Sequence, residues 1–344
     1  MTSSGYTVLG PEIVKDLHDP RRDFAYDVLV GLSEKPKRIA SKYFYDDAGS
    51  HYFREIMALE EYYPTATEEA ILRRSARDIV APMIGGGPIH LVDLGAGDGK
   101  KTMIVLEELR RAKVDFTFVP IDISEGAMKQ LVGTVRERMP DVPVEGLVCE
   151  YTDGVHHLAR TDADRRNLVL FLGSNIGNFG RVAANAFLRR LWSSLRPGDH
   201  ALIGFDLKKD IEVLLAAYND RKGVTSAFNL NLLRRINREL GGDFDVSKFR
   251  HFGTYNVFSG AMESYLVSLE PQVVSIGALD LSFAFDAWEP VHTEYSYKYL
   301  RSDIARLADG TGFAIEADFE DERGWFVDSL WSVKPTIEVA APER

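Results

Sequence analysis

The 344-residue sequence predicts a doubly wound, Rossmann-like α/β sheet joined to a second, smaller α+β unit. Three observations carry that expectation. Short apolar segments alternate with stretches of helical periodicity from residue 66 to residue 208. A glycine-rich loop, Gly95-Ala96-Gly97-Asp98-Gly99, follows the first apolar segment and precedes a helix. After Asp206 the alternation stops, and two helical stretches give way to β-like runs.

Residues 1–40 mix polar and apolar side chains and read as helical. Residues 41–64, SKYFYDDAGSHYFREIMALEEYYP, concentrate tyrosine and phenylalanine among acidic residues. Thr65 and Glu68 then have the T-x-x-E spacing of a capping box, which predicts a helix over about 66–80. Ile89–Leu94 is a short buried strand, Thr102–Arg111 a helix, Phe116–Ile123 a second strand and Ser124–Met139 a second helix. Val142–Cys149 is a third strand. Leu168–Leu172 is apolar throughout, as expected of a central parallel strand. Phe187, Leu191 and Leu195 mark a helix face, and Pro197-Gly198-Asp199 turns the chain into a fifth strand at Ala201–Asp206.

Beyond Asp206, helices are expected at Leu207–Tyr218 and Val224–Leu240. The second carries Phe228, Leu232, Ile236 and Leu240 on one stripe and stops at Gly241-Gly242. Segments 253–258, 261–269 and 271–276 are β-like, and 291–299 alternate strongly. A helix over 302–310 and strands at Gly312–Phe319 and Asp328–Val333 complete the large sheet. The expected division is 66–208 with 299–344 for the large unit, and 1–65 with 209–298 for the small one.

Composition narrows the function. The net charge of −11 argues against a surface for polyanions, because nucleic-acid affinity rests on Lys and Arg contacts to phosphate. No apolar run reaches the length of a membrane span, and the first 30 residues lack the pattern of a secretory leader. Cys149 is the single cysteine, which excludes an intramolecular disulfide and a Cys-rich zinc site and makes a reducing cytoplasm the expected compartment. His51, His90, His156, His157 and His292 show no ligand spacing with paired acids, so no metal is expected. A monomer is expected, since no exposed coiled-coil pattern occurs.

The glycine loop carries the first chemical signal. From Asp93 it reads D-x-G-x-G-x-G, with Gly95 and Gly97 allowing close backbone approach to a ligand. Asp122 ends the next strand, where a carboxylate can hold a ribose diol. This is the usual pattern of an S-adenosylmethionine site. A tight turn that needs glycine, or a dinucleotide site, fits the loop alone; Lys100 stands where a dinucleotide fingerprint has its last glycine. Glu150 and Tyr151 follow the third strand, in position to read an adenine. Gly173 and Ser174 follow the fourth, near the expected methyl position.

Four longer strings, KYFYDDAGSHYFREI, LEEYYPTATEEAIL, FLGSNIGNF and AAYNDRKGVTSAFNLNLLRRINREL, resemble the histidine-specific Nα-methyltransferases of ergothioneine biosynthesis. The resemblance runs from about residue 35 to 335. It implies a class I methyltransferase sheet beside a substrate-binding unit, S-adenosylmethionine as cofactor, and trimethylation of L-histidine to hercynine. The wider family includes fungal enzymes acting on tryptophan-derived amines, so another aromatic amino acid or a modified histidine is the alternative substrate. The resemblance implies that Asn178 and Tyr218 hold the amino-acid backbone and that Tyr45, Phe53 and Tyr62 wall the site. It further implies that Glu294 and Ser296 read the imidazole, and that Lys101 meets the cofactor's methionyl carboxylate. Asn178, Tyr45 and Tyr62 are the expected catalytic residues. The chain departs from the family at Asn175, usually threonine, and at Ser264, which aligns with a methionine beside the ring.

These residue types suit the chemistry. Glu294 and Ser296 are two apart, so a strand presents both on one face. A neutral imidazole donates from one nitrogen and accepts at the other. A carboxylate can take the N–H while a hydroxyl serves the second nitrogen; with a protonated ring the hydroxyl must accept instead. The sequence leaves both open, and the alternation also fits a strand whose polar face meets water. Methyl transfer needs a neutral amine held near the methyl carbon with water excluded. Asn178 can orient the amine, and tyrosine faces can receive the quaternary ammonium product.

Overall fold

The computed structural model describes residues 6–8, 19–158 and 164–334. In chain order the first elements are β1 (Tyr6–Val8), α1 (Pro20–Ser33), β2 (Lys37–Arg38), α2 (Asp47–Met57), α3 (Tyr63–Val80), β3 (Ile89–Leu94), α4 (Lys100–Arg111), β4 (Phe116–Asp122) and α5 (Glu125–Arg138). Then follow β5 (Gly146–Val148), α6 (Tyr151–Leu158), β6 (Arg166–Phe171), α7 (Arg181–Ser194), β7 (His200–Asp206), α8 (Ile211–Tyr218) and α9 (Val224–Leu240). The last are β8 (Phe249–Asn256), β9 (Ala261–Ser268), β10 (Gln272–Ile276), β11 (Leu281–Phe285), β12 (Pro290–Tyr297), α10 (Arg301–Thr311), β13 (Phe313–Glu320) and β14 (Phe326–Val333).

The large sheet has the order β1-β5-β4-β3-β6-β7-β14-β13. Strands β1 through β7 in this sheet pair in parallel, and β14 enters antiparallel to both β7 and β13. The central strand β3 is buried at every position, because both faces are covered. Val92 and Leu94 pack with Phe187 and Leu191 of α7, while Leu91 packs with Leu72 and Ile79 of α3 and Leu106 of α4. Strand order reverses between β3 and β6, the switch point where open α/β sheets bind ligands at the strands' carboxyl ends.

A second sheet, β2-β12-β9-β8, and the hairpin β10-β11 pack with α1, α2 and α9 around their own apolar core. Phe24, Phe44, Phe228, Leu232 and Ile236 lie at its centre. The α9 stripe read from the sequence is the face that enters this core.

Several elements differ from the expectation. Helix α3 begins at Tyr63, three residues early, with Pro64 in its first turn. Tyr62 is its cap and no side chain caps it, so the capping box at Thr65 and Glu68 does not form. Glu68 lies instead inside the helix on its fully buried face. The strand expected over Val142–Cys149 shortens to Gly146–Val148. Pro143 has no N–H to give a ladder; only its carbonyl pairs, with Phe118, and Val144 makes an isolated bridge. Helix α8 starts at Ile211 because the Asp210 side chain caps it by accepting from Glu212 N–H. Residues 6–8, assigned by sequence to the small unit and to helix, form the edge strand of the large sheet. Strand β11 has no counterpart among the β-like segments expected from the sequence. The helical expectation for residues 9–18 and the domain assignment of 335–344 lie outside the described residues. No helix among the described residues is long and apolar enough to cross a membrane.

Candidate active site

At the switch point a cleft of about 320 Å³ opens over the glycine loop. Gly95, Gly97 and Gly99 all have positive φ, at 79°, 55° and 69°. At Gly95 the space is also closed to a side chain, since a Cβ there would lie 2.8 Å from Tyr151 Oη. The Asp122 carboxylate holds the loop from below, accepting from Gly97 N–H at 2.9 Å and Ser124 N–H at 2.9 Å. Burial raises its pKa above the ordinary carboxylate value, against the pull of these amides. Glu150 sits on the rim and pairs with Lys42 at 3.1 Å, which ties the segment before α2 to the end of β5. Tyr151 also lines the cleft and packs edge-on against Phe171.

The cleft continues into an inner chamber of about 40 Å³, with Tyr45, Phe53, Tyr62 and Asn178 lining both. The tight turn Asn175–Asn178 forms the border. Gly177 lets this turn press on β12, because a Cβ there would come 2.8 Å from the Tyr297 carbonyl. The walls are aromatic: Tyr45 meets Phe53 and Phe228 edge-on, and Tyr62 meets Tyr218 at 6.4 Å. Burial drives the Tyr45 and Tyr62 phenols well above their ordinary pKa, so both stay neutral.

Glu294 and Ser296 both line this chamber from β12. The Glu294 carboxylate makes no hydrogen bond to any described residue, and burial pushes it up to about 7 while Lys298 pulls the other way. Ser296 Oγ accepts from Tyr218 O–H at 2.7 Å and from Lys298 Nζ at 2.9 Å.

Behind the chamber lies an ionic network. Asp206, at the end of β7, pairs with Lys298 at 2.8 Å and also with Lys209, and accepts from Tyr63 O–H at 2.7 Å. Burial alone would raise the Asp206 carboxyl, but Lys298 and Lys209 outweigh it and hold it below the ordinary value. Burial lowers the Lys209 ammonium to about 8, Asp206 notwithstanding.

The predicted residues fall into three groups. Gly95, Gly97, Lys101, Asp122, Glu150 and Tyr151 line the outer cleft, and Gly173 lines both it and the inner chamber. Tyr218, Glu294 and Ser296 line the inner chamber, and Tyr45, Phe53, Tyr62 and Asn178 face both. Two residues are placed differently from the expectation. Ser174, with φ of 54°, turns its hydroxyl away to accept from Asp206 N–H at 3.0 Å, and lines the chamber rather than the cofactor cleft. Lys101 faces the cleft but already pairs with Glu68 at 2.5 Å, and Glu68 also accepts from Gly173 N–H at 2.7 Å. Ser264 pairs with Glu294 across the strands and is buried.

Glu68, Asp206, Lys209 and Lys298 escaped the sequence reading. Lys298 carried a usable signal, since it continues the Glu294–Ser296 face by two residues. A charge on the apolar stripe of a helix was the signal for Glu68.

Fold and site together define an α/β enzyme with a cofactor cleft at the sheet's switch point and a small-ligand chamber opening into it. The family of histidine-specific, S-adenosylmethionine-dependent methyltransferases matches residues 24–333, and the chain belongs to it. The chain is similar to the histidine N-alpha-methyltransferase of Mycolicibacterium smegmatis, 38% identical over 82% of this chain and 87% of that one. The protein of the same name from Mycobacterium tuberculosis is 36% identical over 88% of this chain and 93% of its own length. Ergothioneine biosynthesis protein 1 of Neurospora crassa is 30% identical over 79% of this chain but only 30% of that much longer protein.

The residues present fit the cofactor. Asp122 and Glu150 offer acceptors on one side of the cleft, Ile123, Ala127 and Cys149 offer apolar surface between them, and the glycine backbone leaves room at the other end.

Proposed function

We propose that the protein methylates the α-amino group of L-histidine three times, giving hercynine for ergothioneine synthesis. The observation that carries this reading is the Glu294–Ser296 pair, two ring-reading groups in a chamber that opens on the cofactor cleft through Asn178, Tyr45 and Tyr62. Its relatives' names point to the same substrate.

S-adenosylmethionine, when bound, supplies an electrophilic methyl on a sulfonium. The chain's own residues do the rest. Glu294 can accept the ring N–H and Ser296 can meet the second nitrogen. A Phe or Leu side chain would leave Glu294 buried without a partner, which disfavours it strongly. The Asn178 carboxamide oxygen can accept from an amine N–H and so aim the lone pair at the cleft. An α-amino group titrates near 8 in water. The Lys298 and Lys209 ammoniums outnumber Asp206 behind the chamber and favour its neutral form. The phenols of Tyr45 and Tyr62, held neutral, cannot serve as phenolate bases. Their rings exclude water and receive the growing positive charge, which ends with no N–H to hydrogen-bond.

The test is incubation of purified protein with cofactor and each of the twenty amino acids, read by mass spectrometry. A gain of three methyl groups on histidine alone is expected. No gain on histidine ends this reading, and a gain on another aromatic amino acid replaces the substrate.

A further inference from the structure

Lys298 is buried, with 3% of its surface exposed, and its three N–H donors are all engaged. One goes to Asp206 Oδ2 at 2.8 Å, one to Tyr218 Oη at 3.0 Å and one to Ser296 Oγ at 2.9 Å. The two hydroxyls are themselves 2.7 Å apart. A hydroxyl has one donor and two acceptor lone pairs. The phenol is the more acidic hydroxyl, so Tyr218 donates and Ser296 accepts. Ser296 then has both lone pairs occupied, one by Tyr218 and one by Lys298. Its O–H has no acceptor among the described residues. Toward a ligand it can only donate.

We propose that Lys298 is a positioning residue that fixes Ser296 as a donor, so that the chamber selects a neutral ring with one N–H for Glu294 and one bare nitrogen for Ser296. This inference rests on the histidine reading and goes beyond it, since the Glu294–Ser296 pair alone admits a protonated ring. A protonated ring has two N–H groups and no acceptor, so it would leave its second N–H facing the Ser296 O–H. It would also stand beside an ammonium. The titratable groups facing the chamber are Tyr45, Tyr62, Asp206, Tyr218, Glu294 and Lys298, with Lys209 and Tyr63 behind Asp206. Glu294 and Asp206 are the two groups among them that favour a cationic ring; Asp206 is already paired with Lys298 and Lys209, and Lys298 opposes Glu294.

The test compares histidine with 1,2,4-triazol-3-ylalanine, whose ring keeps an N–H and a bare nitrogen but stays unprotonated over the range used. Values of kcat/KM are measured for both from pH 5.5 to 8.5 on the intact protein. Titration of Glu294 and of the other enzyme groups affects both substrates alike and cancels in the ratio. The histidine-to-triazole ratio should be level above the ring's ordinary pKa of about 6.5 and fall tenfold per pH unit below it. In Lys298→Met that fall should flatten, because Ser296 regains a lone pair and the neighbouring charge is gone. Tyr218→Phe frees the other lone pair and should flatten it too, which keeps the inference testable if Lys298→Met does not fold. A wild-type ratio that is level or rises toward low pH overturns the proposal, as do two variants that keep the full wild-type fall. If neither substrate is methylated, the histidine reading itself fails; if both are methylated with a level ratio, only the role of Lys298 fails.

Discussion

Replacing Glu294 by glutamine keeps the side-chain volume and removes the charge, and the structure sets what should follow. Burial raises this carboxyl from 4.5 to about 7. Between those values the folded protein holds a proton there that the unfolded chain has released. Stability therefore falls as pH rises through this window. At about 1.4 kcal/mol per unit, the penalty is on the order of 3 kcal/mol and is complete above about pH 7. Glu294→Gln carries no such penalty. Without ligand it should match the wild type at pH 5 and exceed it by about 2–3 kcal/mol at pH 8. Turnover should move the other way. A hydrogen bond to a charged group contributes about 1.5–3 kcal/mol, so kcat/KM for histidine should drop roughly 10- to 100-fold. Urea denaturation at pH 5 and pH 8, with initial rates on histidine, reads both effects. Equal stabilities at pH 8 would refute the strained carboxylate, and unchanged histidine turnover would refute its role in reading the ring.

Other perturbations separate the cleft, the network and the rim. Glu68→Ala strands the Lys101 ammonium and the Gly173 N–H, so unfolding free energy should drop by about 3–5 kcal/mol in a denaturant titration. Asp206→Asn removes the counter-charge of Lys298 and Lys209 and should cost a similar amount, about 3–5 kcal/mol, by the same assay. Gly95→Ala forces a side chain into left-handed backbone 2.8 Å from Tyr151 Oη, and calorimetry should show cofactor affinity reduced about tenfold or more. Lys42→Met breaks two partly exposed pairs, with Glu150 and with Asp27, and its melting curve should imply a change of about 1 kcal/mol or less.

Much of the fold was legible because local pattern and tertiary role agree there. β3, β6 and β7 are apolar runs that belong in the middle of a parallel sheet, and α9 shows its stripe whether or not its partners are known. The misread elements are those where a local signal competes with a distant partner. Thr65 and Glu68 have capping spacing, but Gly173 and Lys101, far along the chain, draw Glu68 into the interior. The Val142–Cys149 run is apolar enough for a strand, yet a single proline shortens it. β1 is three residues long, and only the exposed edge of β5 makes it a strand.

The candidate site divides in the same way. The glycine loop, Asp122 and the Glu294–Ser296 spacing are local motifs, and strand periodicity alone puts that pair on one face. Ser174 had no such marker. Its hydroxyl answers to the Asp206 backbone, 32 residues away, and so leaves the cofactor side.

By itself, then, the chain's amino-acid order determined which segments are strands and helices of a doubly wound sheet, where its ligand loop lies, and which family's motifs it carries, because these depend on neighbours a few residues apart. Only the folded arrangement decided that Asp206, Tyr218, Ser296 and Lys298 meet in one buried network and that Lys101 is engaged by Glu68. Those contacts join residues between 33 and 92 positions apart or lie on different elements, where side-chain chemistry reads as ordinary until packing removes water and forces each donor to find its acceptor.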